Sequence, residues 1–235
     1  MPSNYVDSKS LVPVIHKCDF DKKATEFLTK YYPQALEKPM AVPIREIAQK
    51  KIGLRVFMDY RLTEDFSILG QMCFTNGYVP IYDKEEDEFR DLKVRYGTMF
   101  IDPDTYFMRN LGSVNNTVAH ECVHWEEHRP YYMALPITDS VAVACRCPTT
   151  EKSEDTQQSW TDTDWMEWHA NGIAPRILMP IQTFEKTVES VKKRYSARTG
   201  DRVEDVKMIA RHVADFYNVS MQSAAIRMSE LDLRV

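Results

Sequence analysis

Several absences narrow what this chain can be. No apolar run in its 235 residues approaches the roughly 20 that a membrane-spanning helix needs. The opening residues, MPSNYVDSKS, carry no basic head followed by an apolar stretch, so no secretion signal is expected and a cytoplasmic location is. Positive charge is not in excess: 30 Lys and Arg against 35 Asp and Glu leave a formal charge of −5, which argues against a chain that coats nucleic acid and makes a nucleic-acid partner unexpected. No internal repeat and no low-complexity tract is present. The five cysteines (Cys18, Cys73, Cys122, Cys145 and Cys147) are odd in number, which points to reduced thiols. CRC at 145–147 has no second close pair to complete a four-cysteine zinc site, so neither structural zinc nor redox work is expected there.

What is present reads as a globular chain, 43% hydrophobic and 28% charged, long enough to bury a substantial core. Helical spacing runs through 22–32, with Ala24, Phe27, Leu28 and Tyr31 on one side, and through 42–53, with a Pro start and a Gly stop. Residues 54–60, 73–83 (with a turn at Asn76-Gly77) and 96–102 are strand-like. A helix is predicted over 113–128, with Ser113 as N-cap and Val114, Val118, Cys122 and Trp125 as the packing face. Polar, turn-rich sequence then marks 129–160 as an inserted loop, and helical patterns resume at 164–179, 181–197, 203–217 and 220–231. The expectation is an α+β fold in one domain over 1–235, with an extended segment over 1–20 and a helical C-terminal part over 181–235.

Within the predicted central helix stands TVAHECVHWEEH, residues 117–128. His120 and His124, at i and i+4, share a helix face, so their ring nitrogens can converge on one metal. Glu121 points to the open side of such a metal, where it can accept a proton from a polarised water and pass it to a leaving amine. Composition alone, with six histidines, produces this pattern roughly once in a hundred such sequences, so context has to carry the argument. A catalytic zinc needs a third protein ligand. His128 lies about 12 Å along the helix from His120, too far for one metal. Glu126 and Glu127 are too close in sequence, and the position six past His124 is Pro130 rather than a histidine. The third ligand must come from another element, and Glu167 and His169 in DWMEWHANGIAPRILMP are the candidates. Glu167, Ala170, Asn171 and Ala174 share a helical face whose alanines allow close approach, and Asn171 is placed to bond the far nitrogen of a metal-bound histidine. On its own Glu167 would read as a solvated helix glutamate, and His16 and His212 read as ordinary surface or core histidines.

Together AHECVH (119–124), EWHAN (167–171), LMP (178–180) and VADFYNVSMQSAAIRMSEL (213–231) resemble the ImmA/IrrE family of bacterial metallopeptidases. That resemblance implies a compact zincin related to the thermolysin-like peptidases, with zinc held by His120, His124 and Glu167 and Glu121 as general base. It also implies a cytoplasmic protein substrate such as a transcriptional repressor of a mobile element or stress response. Two departures stand out. The stretch from His124 to Glu167 is longer than the family pattern, and Gly172 and Pro175 fall where helix formers are usual, so a kinked or short third-ligand helix is expected.

The expected reaction is zinc-assisted hydrolysis of a peptide bond. Tyr131, Tyr132 and His169 are candidates to stabilise the oxyanion. The segment 96–102, with Tyr96 and Thr98, is a candidate cleft edge that pairs with an extended peptide. The competing reading is a non-catalytic zinc-containing regulatory module, or a DNA-binding one using the C-terminal helices and the locally basic KKRYSARTGDR at 192–202.

Overall fold

The computed structural model describes residues 11–136, 140–150, 152–199 and 206–233, with no account of the side chains at 195–199 and 206. In chain order its elements are α1 (Phe20–Tyr31), α2 (Gln34–Glu37), α3 (Ile44–Glu46) with a π-helical extension Ile47–Ile52, β1 (Arg55–Phe57), β2 (Ile68–Cys73), β3 (Gly77–Asp83), β4 (Glu88–Val94) and β5 (Thr98–Ile101). After a π-helical turn at Thr105–Arg109 come α4 (Leu111–Val123), a second π-helical turn His124–His128, α5 (Arg129–Ala134), β6 (Ala144–Pro148), α6 (Asp162–Leu178), α7 (Ile181–Thr199), α8 (Val206–Tyr217) and α9 (Met221–Glu230). The chain is thus mixed α+β with a small sheet. Among the described residues no helix is long and apolar enough to cross a membrane.

The sheet runs β1-β5-β2-β6, with β1 and β5 parallel and the other pairs antiparallel. α4 lies across one face of it and is sandwiched by α6, which in turn packs on α1. This layer holds the main core, including Met72, Phe74, Met99, Val118, Cys122, Ala170 and Ala174. The β3–β4 hairpin covers the opposite face and closes a smaller core of Leu62, Cys73, Val79, Ile81, Val94 and Phe100. Strand alternation explains the split, since Met72 and Cys73 on β2 point to opposite faces and join different cores.

Several expectations needed correction. Asn110, not Ser113, caps α4, its side chain accepting from the Ser113 N–H. The strand-like stretch 73–83 is the end of β2 and the whole of β3, joined at Asn76-Gly77, and β4 is added from a run so charged that it carried no strand signal. Residues 129–160 are not an inserted loop: they contain α5, the sheet strand β6 and a 3-10 turn at Glu154–Ser159. β5 lies between β1 and β2, hydrogen-bonded on both sides, so it cannot be the edge that receives a peptide; β6 ends that side of the sheet.

α6 is not cut short at Pro175. It runs unbroken for 17 residues with Pro175 inside it, started by a capping box in which Thr161 and Asp164 satisfy each other's backbone N–H groups. Gly172 has a packing reason: a Cβ there would stand 2.0 Å from the Phe20 ring, so its absence is what lets α1 approach α6. The C-terminal helices are spent on the core. Arg227 on α9 is buried, donates to Asp21 on α1 and to the Met179 carbonyl, and flanks Glu230. Of the basic stretch 192–202, residues 200–202 lie outside the described residues, as do the side chains of 195–199. The N-terminal segment expected over 1–20 is described from residue 11, and Val12 and Ile15 enter the core.

Candidate metal centre

α4 brings His120, Glu121 and His124 to the buried face between sheet and α6, and all three are fully inaccessible. Ala119, Ala170 and Ala174 let the two helices close on each other, and Glu167 reaches across from the second turn of α6. His120 Nε2 and His124 Nε2 lie 2.9 Å apart, and each is 3.1 Å from one oxygen of Glu167. Two nitrogens and a carboxylate therefore meet at a point. His169 does not join them as a ligand candidate; its Nδ1 faces His128.

β6 adds a group that sequence reading had set aside. Gly70 on β2 pairs with Cys147 and Met72 with Cys145, so alternation turns both thiols toward α4 and sends Arg146 to the other face, where it donates to Gln71. Cys147 offers its sulfur within 4.8 Å of ligand atoms on both His120 and Glu167. Cys145 Sγ donates to Glu121 Oε2 at 3.7 Å. The CRC spacing carries this signal only once it is known to be a strand.

The electrostatics favour an ionised carboxylate at this point. Burial works against ionising Glu167, yet His124 and His120 outweigh it and hold the carboxyl down at about 2. Burial also opposes charge on His120, but Cys147 and Glu167 together raise its pKa well above the ordinary value, whereas in His124 burial wins and the shift is downward. Burial raises Glu121 to about 8, with Glu167 adding and His120 opposing. Several buried polar atoms here have no hydrogen-bond partner: His120 Nδ1, Glu121 Oε1, Glu167 Oε1 and Tyr132 Oη. Glu167 Oε1 is 3.1 Å from His124 Nε2 and still makes no hydrogen bond to it. His120 Nε2 is within hydrogen-bonding distance of both His124 Nε2 and Glu167 Oε2, while the unpartnered buried atoms around them leave polar groups that a bound ion or water could satisfy. His120, Cys147 and Glu167 together form a group of donors that could hold a metal ion.

The remaining predicted residues fall at varying distances. Tyr132 is buried, stacked on Phe74 at 4.4 Å and edge-on to His124 at 6.4 Å, and its pKa is raised by burial and by the charges of Cys145, Glu167 and Glu121. Tyr131 packs edge-on against Tyr132 and is partly exposed. Tyr96 lies on the Trp125 ring, and Thr98 is buried inside the sheet between Arg55 and Cys73. Asn171 does not take the expected ring-nitrogen bond. It lines a cavity of about 920 Å³ with Thr117, Trp168, Arg109 and Arg227, while the partner of His124 Nδ1 is His128. That cavity reaches α4 and α6 one turn away from Glu121 and Glu167, but none of the converging residues lines it; the donor chemistry, not the cavity, locates the site. Comparison with known proteins returned no matching family model, no matching curated protein and no matching solved structure.

Proposed function

We propose that this chain is a zinc-dependent endopeptidase of the ImmA/IrrE type with a zincin fold, acting on a cytoplasmic protein such as a transcriptional repressor. The observation that carries the reading is the convergence of His120 Nε2, His124 Nε2 and Glu167 within 3.1 Å, with the carboxylate of Glu121 beside them. His120, His124 and Glu167 would hold the ion. When bound, zinc supplies Lewis acidity that polarises a scissile carbonyl and makes water acidic near neutral pH.

The chain's own residues do the rest. Glu121 Oε1, which has no partner, takes the proton of the attacking water and returns it to the leaving amine. Tyr132 Oη, buried and also unpartnered, donates to the developing oxyanion. β6, which ends the sheet among the described residues, is where an extended peptide can add as a strand, since 96–102 lies inside the sheet.

A second reading has its own observation. Cys147 is a fourth donor, and four protein ligands close a zinc site and leave no position for substrate. A non-catalytic regulatory zinc protein would look like this.

The tests separate the two. Purified protein should hold about one zinc, lost in His120→Ala and Glu167→Ala and kept in Glu121→Gln. A quenched-fluorescent peptide library should be cleaved by wild type and not by Glu121→Gln. If wild type cleaves nothing while Cys147→Ala keeps zinc and still cleaves nothing, the endopeptidase reading fails and the closed site stands. If Glu167→Ala keeps full zinc, the ligand set is wrong.

A further inference from the structure

The cavity of about 920 Å³ beside the metal centre takes no part in the chemistry described so far. Its position ties it to that chemistry. Thr117 and Asn171 line it, one helical turn from Glu121 on α4 and from Glu167 on α6. A Cβ on Gly70 would stand 2.7 Å from the Thr117 methyl and 2.6 Å from Glu121 Oε1, so the cavity wall and the carboxylate are neighbours. Thr149 also lines it, two residues beyond Cys147, where β6 runs out. One helical turn is about 5.4 Å and an extended residue about 3.3 Å, so a peptide laid along β6 past the centre enters the cavity within about two residues.

The walls have a charge preference. The acidic side chains that line the cavity, Glu154 and Glu230, are already held: Glu154 by Lys17 at 3.1 Å, and Glu230 by Arg176 at 2.8 Å and Arg227 at 3.3 Å. Asp21 takes the other side of both arginines. Arg109 also lines the cavity, is exposed, and makes no ion pair among the described residues, so it is the cation left over. Two helices begin here as well, α4 of 13 residues and α9 of 10, and their first turns touch: a Cβ on Gly112 would collide with the backbone of Val219 and Ser220. The caps Asn110 and Ser220 take the N–H groups of Ser113 and Ser223, which leaves the earlier N–H groups of each turn to an anion. Two further atoms point to an occupant. Asn116 Oδ1 and Arg176 Nε are buried without a hydrogen-bond partner, and Arg176 is only 7% exposed; both residues line the cavity. One lacks a donor and the other an acceptor, and a peptide that carries a carboxylate brings both.

We propose that this cavity is the specificity pocket of the peptidase: it takes the segment of substrate next to the scissile bond and selects in it an acidic side chain, Asp or Glu. Its volume is at the upper end of ligand pockets and exceeds what one side chain needs, so it holds a short run of residues. The carboxylate meets Arg109 and the two helix starts, and Asn116 Oδ1 accepts a main-chain N–H of the peptide. Met221 and Ile226, each about half exposed, line the same cavity and cover the apolar part of the run. The proposal rests on the endopeptidase reading above and names its substrate class, a protein cut beside an acidic residue.

Two measurements test it, and the first needs no cleavage. Zinc-loaded Glu121→Gln is titrated with a blocked alanine heptapeptide carrying two glutamates, and with the same peptide carrying glutamines. Binding is read from the fluorescence of Trp168, which lines the cavity, with Trp168→Phe to identify its share of the signal. The glutamate peptide should bind roughly tenfold tighter, and Arg109→Ala should abolish the difference. Equal binding of the two peptides, or binding of neither, overturns the proposal. In the second, wild type digests a proteome-derived peptide library and the cut sites are read by mass spectrometry. Asp and Glu should be enriched within two residues of the cleaved bond, and Arg109→Glu should replace them by Lys and Arg. Cleavage without acidic enrichment, or the same enrichment in Arg109→Glu, also overturns it. If wild type cleaves nothing while the glutamate peptide still binds preferentially, the endopeptidase reading fails and the acidic pocket stands.

Discussion

Glu121→Gln provides a test that needs no substrate. Burial lifts the Glu121 carboxyl from 4.5 to about 8 in the folded chain. An acid whose folded pKa is raised contributes its full stability below its unfolded pKa and loses it as pH climbs through the folded value. The window is therefore pH 4.5 to 8, and metal-free wild type should weaken steadily across it. At 1.36 kcal/mol per pH unit the whole loss is about 5 kcal/mol, of which about 3 kcal/mol falls between pH 5 and 7.5. In a chain of this length that is roughly 6–12 °C in Tm. Glutamine keeps the shape and cannot ionise. Scanning calorimetry of chelator-stripped wild type and Glu121→Gln at pH 5 and 7.5 should show the difference in Tm between them open by that amount. Zinc should shrink it, since a dication beside the carboxylate stabilises the ionised form. Parallel Tm curves for the two metal-free proteins would refute the account of Glu121 as a buried acid held against water.

Other substitutions probe neighbouring claims. Tyr132→Phe should cut peptidase kcat by about 10²–10³ with zinc content unchanged. Because the hydroxyl is buried without a partner, the same variant should be no less stable than wild type by urea titration. Gly70→Ala puts a Cβ 2.6 Å from Glu121 Oε1 and 2.7 Å from Thr117, so it should cost roughly 1–3 kcal/mol and impair hydrolysis more than zinc binding. Gly172→Ala should cost a similar amount, about 1–3 kcal/mol, by driving into Phe20. Combined with Phe20→Ala it should be markedly less than additive in a double-mutant cycle.

The sequence alone determined a good deal. Period-3.6 patterning placed the helices now seen as α1, α4 and α6 to α9 to within a few residues, because each buries one apolar stripe. The i, i+4 spacing put His120 and His124 side by side, because local helix geometry needs nothing from the rest of the chain. Choosing Glu167 over His169 used a second motif and the family resemblance it carries, and α6 packs on α4 with Ala170 and Ala174 buried. What the sequence did not determine depends on contacts between distant segments. β4 is charged and exposed, so no hydrophobic period marks it, and only pairing with β3 makes it a strand. Whether 96–102 lies at an edge or inside a sheet is a question of strand order, which one strand's residues do not encode. Cys147 came beside His120 and Glu167, and Cys145 beside Glu121, because antiparallel register with β2 turned both toward α4. His128, excluded as a ligand by its distance along the helix, lies against His124 on one side and against His169 from α6 on the other. Local spacing decides which side chains share a face; only the packing of segments far apart in the chain decides what stands opposite them.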